Sequence, residues 1–106
     1  MNENYKLEIQ FDYVLAKDQH ISVAKLNAWL QETLSDCFVS NDGINWFVKD
    51  NDAQPYETLL GTVVGLFTNS NIIPRFAKTC KIYDYLEHKQ ENAMMTFKTQ
   101  IKAYRI

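Results

Sequence analysis

The chain is short of glycine (three), proline (two), cysteine (two), histidine (two) and arginine (Arg75 and Arg105 alone). Each scarcity excludes something. The glycines, at positions 43, 61 and 65, match no phosphate-cradling loop or dinucleotide fingerprint, so no cofactor is expected. Cys37 and Cys80 lie far apart and outside any C-x-x-C context, which excludes a disulfide-rich scaffold. One disulfide is formally open to them, and two buried thiols are the expectation for a cytosolic protein. Neither His20 nor His88 has Cys, His, Asp or Glu at metal-ligand spacing, so zinc is not expected. The longest apolar run, residues 63–67 counting Gly65, is about five residues, against the roughly 20 of a membrane helix. Met1-Asn2-Glu3-Asn4 offers neither the basic n-region nor the apolar h-region of a secretory leader. The resulting expectation is a soluble, cytoplasmic protein.

What is present fits one globular domain spanning 1–106. Apolar residues are 46% and charged residues 23%, near the averages for soluble domains. The residues in short supply (Gly, Pro, Arg) have GC-rich codons, and Asn, Lys, Ile, Phe and Tyr have AT-rich ones, which points to an AT-rich genome such as that of a low-GC bacterium, a phage or a plasmid. The net charge is −2, but its halves differ. Residues 1–57 carry ten acidic and four basic side chains; residues 58–106 carry three and seven. Such asymmetry marks either an intramolecular match across a sheet or a footprint for an acidic partner.

Periodicity gives the elements. Apolar residues at 5, 7, 9, 11, 13 and 15 alternate with polar ones, predicting a strand from Tyr5 to Ala16 with one wet face. Lys17 to His20 reads as a loop. Ser22 is an N-cap for a helix from Val23 to Asp36, whose stripe is Val23, Leu26, Leu30, Leu34 and Cys37, with Trp29 at its edge. Asn41-Asp42-Gly43 predicts a hairpin turn between Phe38-Val39-Ser40 and Ile44 to Lys49. Pro55 suits a helix start, and Tyr56, Leu59, Leu60, Val63, Val64 and Phe67 supply a buried face, with a strand over Thr58 to Phe67 as the competing reading because Val, Thr and Gly weaken a helix. Ile72-Ile73-Pro74 reads as a turn. Residues 79–88 read as a strand, with a helix as the alternative, Lys89 to Asn92 as a turn, and alternation from Met95 to Tyr104 as a last strand. The order β-α-β-β-α-β-β predicts an α+β two-layer sandwich: a mostly antiparallel sheet with two helices on one face, a ferredoxin-like core with an added strand.

Three sites stand out. Lys81, Tyr83 and Tyr85 on one predicted strand, with Lys98, Lys102 and Tyr104 on the next, form a basic, aromatic C-terminal hairpin of the kind that binds protein or single-stranded nucleic acid. The first strand is expected to add Glu8 and Asp12 to the same face. Gly61-x-x-x-Gly65, flanked by Thr58 and Thr62, is a small-residue strip suited to close helix packing, either internally or in a homodimer. Asp50-x-Asp52 ahead of a helix resembles, over a few residues, a pattern of phage-type Holliday-junction resolvases, which implies a divalent metal; a capped loop is the competing reading. With no full catalytic set, the reading is a non-enzymatic protein-interaction module that self-associates, in the manner of a phage- or mobile-element-encoded inhibitor or assembly factor. The alternative is nucleic-acid binding through the C-terminal hairpin, and the third reading is a metal-dependent nuclease.

Overall fold

The computed structural model describes residues 1–96. Along the chain run β1 (Tyr5–Phe11), α1 (Tyr13–Asp18), α2 (Val23–Thr33), β2 (Phe38–Val39), β3 (Asn45–Phe47), α3 (Pro55–Asn69), α4 (Ile72–Phe76), β4 (Ala77–Asp84) and β5 (Lys89–Asn92). The five strands make one antiparallel sheet in the order β2-β3-β1-β4-β5. The α+β two-layer architecture is thus as the sequence predicts. Strands β2-β3-β1-β4 have the order of a ferredoxin-like core, and β5 is the addition at its β4 edge.

Burial alternates along the strands as their period requires. Leu7, Ile9 and Phe11 of β1, Trp46 of β3, and Cys80 and Ile82 of β4 point to the helical layer. Register keeps them there: Leu7 pairs with Trp46 on one side and Ile82 on the other, and Ile9 pairs with Cys80. Leu26 and Leu30 from α2, Leu34 at its C-cap, and Leu59, Val63, Leu66 and Phe67 from α3 extend the core. Val64, expected inside, is exposed, and Leu66 is buried in its place. The buried face of α3 is centred on the i, i+4, i+7, i+8 set that starts at Leu59, and Val64 falls outside it.

Four boundaries differ from expectation, each for a local reason. The first strand stops at Phe11 because the Asp12 side chain turns back to accept from Leu15 N–H at 3.0 Å and caps α1. Tyr13 and Leu15 therefore belong to a helix, as do Lys17 and Asp18, and Val14 is 73% exposed. Residues 72–74 open the short helix α4, where Ser70 Oγ accepts from Ile72 N–H at 3.1 Å and Ile73 and Phe76 plug the core. Lys89 to Asn92 is strand and not turn. The turn lies four residues earlier, where buried Asp84 Oδ1 accepts from Leu86 and Glu87 N–H, both at 3.1 Å, and His88 closes the loop at φ +54°. Finally, residues 93–96 are helical, started by Asn92 Oδ1 accepting from Met95 N–H at 3.3 Å, so the last strand does not begin at Met95. The rest of that expected strand lies outside the described residues.

Other local readings hold. Ser22 Oγ accepts from Lys25 N–H and caps α2. The β2–β3 turn uses Gly43 at φ +73°, with Asp42 Oδ1 accepting from Ile44 N–H and from the Ser40 hydroxyl. Among the described residues no helix is long and apolar enough to cross a membrane.

The glycines of α3 have no packing reason to be glycine. A Cβ at Gly61 would meet nothing within 4 Å, and one at Gly65 only the Asn69 side chain at 3.8 Å. The strip thus faces an open groove of about 360 Å³ between α2 and α3, with Trp29 and Leu66 in its walls. Gly61→Ala and Gly65→Ala are therefore each expected to stabilise the fold by about 0.5–1 kcal/mol, the helix-propensity difference alone. Urea midpoints at low micromolar protein concentration check this; a loss of stability would mean that the groove closes in solution.

Candidate functional site

The wet face of the sheet gathers the described members of the expected site. Lys81 and Tyr83 lie on β4, and Tyr85 follows at its end, 47% exposed. The Tyr83 and Tyr85 rings stack, with centroids 5.8 Å apart and planes within 8°. Their spacing of two residues along an extended chain puts both on one side, and the antiparallel partner decides what stands opposite. Register places Lys6 across from Tyr83 and Glu8 across from Lys81. The Lys6 ammonium sits over both rings, 4.5 Å from the Tyr83 centroid and 5.7 Å from that of Tyr85. Tyr83 OH donates to Glu8 Oε2 at 3.4 Å.

The electrostatics lock this arrangement. Partial burial pulls the Lys6 ammonium's pKa down, but the Tyr85 phenol, Glu8 and Tyr83 push it up by more, so it ends above the ordinary lysine value. Burial and the Glu8 carboxylate raise the Tyr83 phenol against the opposing pull of Lys6. Tyr83 is therefore a neutral donor and Lys6 a full cation at neutral pH. Beside them a shallow cavity of about 190 Å³ is lined by Tyr83, Tyr85, His88 and Gln90.

Two parts of the expected site need correction. The C-terminal hairpin turns at residues 85–88, so β5 and not a strand from Met95 flanks β4. Lys98, Lys102 and Tyr104 lie outside the described residues. Asp12 is absent from the wet face because it caps α1, whereas Glu8 is there as expected. Lys6 was legible only as a wet-face residue; nothing in the sequence says which β4 residue it meets.

The remaining motifs are placed as follows. Asp52 Oδ1 accepts from Gln54 N–H at 2.8 Å, which shapes the loop before α3, and exposed Asp50 pairs with the Met1 ammonium at 3.2 Å. Among the described residues no group of three or more His, Cys, Asp and Glu side chains is placed to hold a metal ion. Both thiols are free. Burial pushes Cys80 up to about 12, and burial, Asp36 and Asp52 raise half-buried Cys37, so neither is an activated thiolate. His20 and His88 are exposed and sit at φ +60° and +54° at element ends, where histidine tolerates the left-handed region.

Neither a family model, nor a curated protein, nor a solved structure matches the chain. The site's own geometry therefore has to carry the functional argument.

Proposed function

We propose that this domain is a non-enzymatic protein-interaction module that binds through the Lys6–Tyr83–Tyr85 platform and Lys81, with a second copy of the chain as its first partner. The observation that carries the reading is the stacked tyrosine pair held under Lys6 on an open sheet face. Exposed aromatics fixed before binding lose little freedom on contact, and tyrosine is a favoured interface anchor. The charges support a protein partner. Lys6 and Lys81 are interleaved with Glu8, so the face carries both signs, as a two-fold contact of a patch with itself requires.

Sedimentation equilibrium tests this at about 100 µM, where even a weak dimer of modest interface forms. The expected result is a mass above the 12.4 kDa monomer. Tyr83→Ser with Tyr85→Ser is expected to weaken association by about thirty-fold or more, the usual cost of losing an aromatic anchor, with circular dichroism unchanged. Asp50→Asn with Asp52→Asn should change nothing. A clean wild-type monomer at that concentration removes self-association. Dissociation by Gly61→Gln with Gly65→Gln, but not by the tyrosine pair, moves the contact to the α3 groove.

A second reading, single-stranded nucleic-acid binding, is favoured by the lysines that flank the tyrosines. Glu8 in their midst weighs against it. Binding of a fluorescent oligothymidine with a steep salt slope, lost in the tyrosine double variant, would establish that reading over the first.

A further inference from the structure

Register carries the wet face past the tyrosine platform. Trp46 pairs with Leu7 and points into the core, so its neighbour Phe47 points to the opposite face and stands beside Lys6. Phe38 pairs with Phe47, and Gln90 with Tyr83. One row of side chains, Phe38, Phe47, Lys6, Tyr83 and Gln90, therefore crosses all five strands. Phe38 is 47% exposed and Phe47 is half-buried, and neither they nor Tyr83 and Tyr85 belong to the core cluster or the side chains packed on it. A contiguous aromatic row left outside the core on a wet face is the mark of a contact surface. The next row along the strands is polar: Asn45, Glu8, Lys81 and Asn92. Glu8 and Lys81 stand opposite each other, yet among the described residues neither takes part in an ion pair.

We propose that two copies of the chain pack sheet face on sheet face about a two-fold axis parallel to the strands, between β1 and β4, so that Glu8 of each copy meets Lys81 of the other. The proposal rests on self-association through the tyrosine platform and states how the two faces are set. Rotation about such an axis keeps each row at its own height and exchanges β1 with β4 and β3 with β5. Glu8 then lies over the partner's Lys81, Lys6 over the partner's Tyr83, and Phe47 over the partner's β5 at Gln90. The contact closes two reciprocal ion pairs beside two aromatic rows. Other axes fit the charges less well. An axis over β1 stacks Lys6 on Lys6 and Glu8 on Glu8, and like charges facing across a contact are costly. An axis across the strands aims Glu8 at Lys6, whose ammonium is already held over the rings of its own copy, and leaves Lys81 without a carboxylate. Five strands about 4.8 Å apart give a face roughly 20 Å wide, and seven or eight residues give a similar height. That is about half of the roughly 800 Å² per partner of a standard interface, so the dimer is weak and each charge in it counts.

Charge exchange in the full-length chain tests the arrangement by sedimentation equilibrium, again at about 100 µM. Glu8→Lys and Lys81→Glu are each expected to weaken association roughly tenfold or more, because each sets like charges against one another twice across the axis. An equimolar mixture of the two variants is expected to associate as wild type does, since one then carries lysine at both positions and the other glutamate at both. The double exchange, Glu8→Lys with Lys81→Glu in one chain, should recover association as well. Phe47→Ser should weaken it by about tenfold, with circular dichroism unchanged in every variant. Loss of association in the tyrosine double variant, but no recovery in the mixture, overturns this arrangement and leaves the platform reading standing. Undiminished association of Glu8→Lys alone does the same. A wild-type monomer overturns both together, and oligothymidine binding that tightens in Glu8→Lys would then give the face to nucleic acid.

Discussion

Ile9→Ala and Leu26→Ala are each expected to destabilise the fold by about 2–5 kcal/mol, the usual result of emptying a packed aliphatic site. The two residues lie on opposed layers. Ile9 lies on the central strand β1, paired with Cys80 and 2% exposed. Leu26 anchors α2 from the helical side at 4% exposure. Both belong to the buried apolar cluster, so each cavity keeps most of its cost. Lys6→Ala, one residue along the scale of faces, should cost at most about 1 kcal/mol, since it forfeits only the contact with the tyrosine rings. Urea denaturation of the three variants checks this. Equal midpoints for Ile9→Ala and Lys6→Ala would mean that β1 is turned over in solution.

The second large effect is alkaline. Burial raises the Cys80 thiol from its ordinary 9.0 to about 12 in the folded chain. Below pH 9 the thiol is neutral both folded and unfolded, and it adds no pH dependence. Above pH 9 the unfolded chain releases the proton while the folded chain keeps it. The unfolded state then binds fewer protons, so stability falls as pH rises, by up to about 4 kcal/mol at pH 12. Cys37 and Tyr83, also raised by burial, act in the same direction. Cys80→Ala isolates the one contribution. The stability difference between wild type and Cys80→Ala is expected to shrink by roughly 1.6 kcal/mol between pH 9 and 10.5. Parallel pH curves for the two proteins would show that the thiol is solvated in the native state.

Much of the fold was legible because short-range chemistry set it. Ser22 and Gly43 act within two or three residues of themselves, and the stripes of α2 and α3 need only a helical period. The errors fell where two local rules compete. Alternation ran on through Tyr13 and Leu15, but Asp12 is also a good helix cap, and the cap won because it satisfies a free N–H at the start of α1. Lys89 to Asn92 has the composition of a turn, yet the buried Asp84 carboxylate fixes the turn ahead of it.

The sequence by itself determined that this is an α+β sheet-and-helix domain, which residues of β1 face the core, and, once residues 79–88 are taken as a strand, that lysine and tyrosine share a wet face. Periodicity of two and of 3.6 is written residue by residue and needs no partner to read. Only the tertiary structure decided that Lys6 stands over Tyr83 and Tyr85, that Glu8 faces Lys81, that the glycines of α3 line an open groove, and that the Trp46 indole finds no acceptor among the described residues. Those facts depend on strand order and register, which join residues more than 70 positions apart and are fixed by the packing of the whole core.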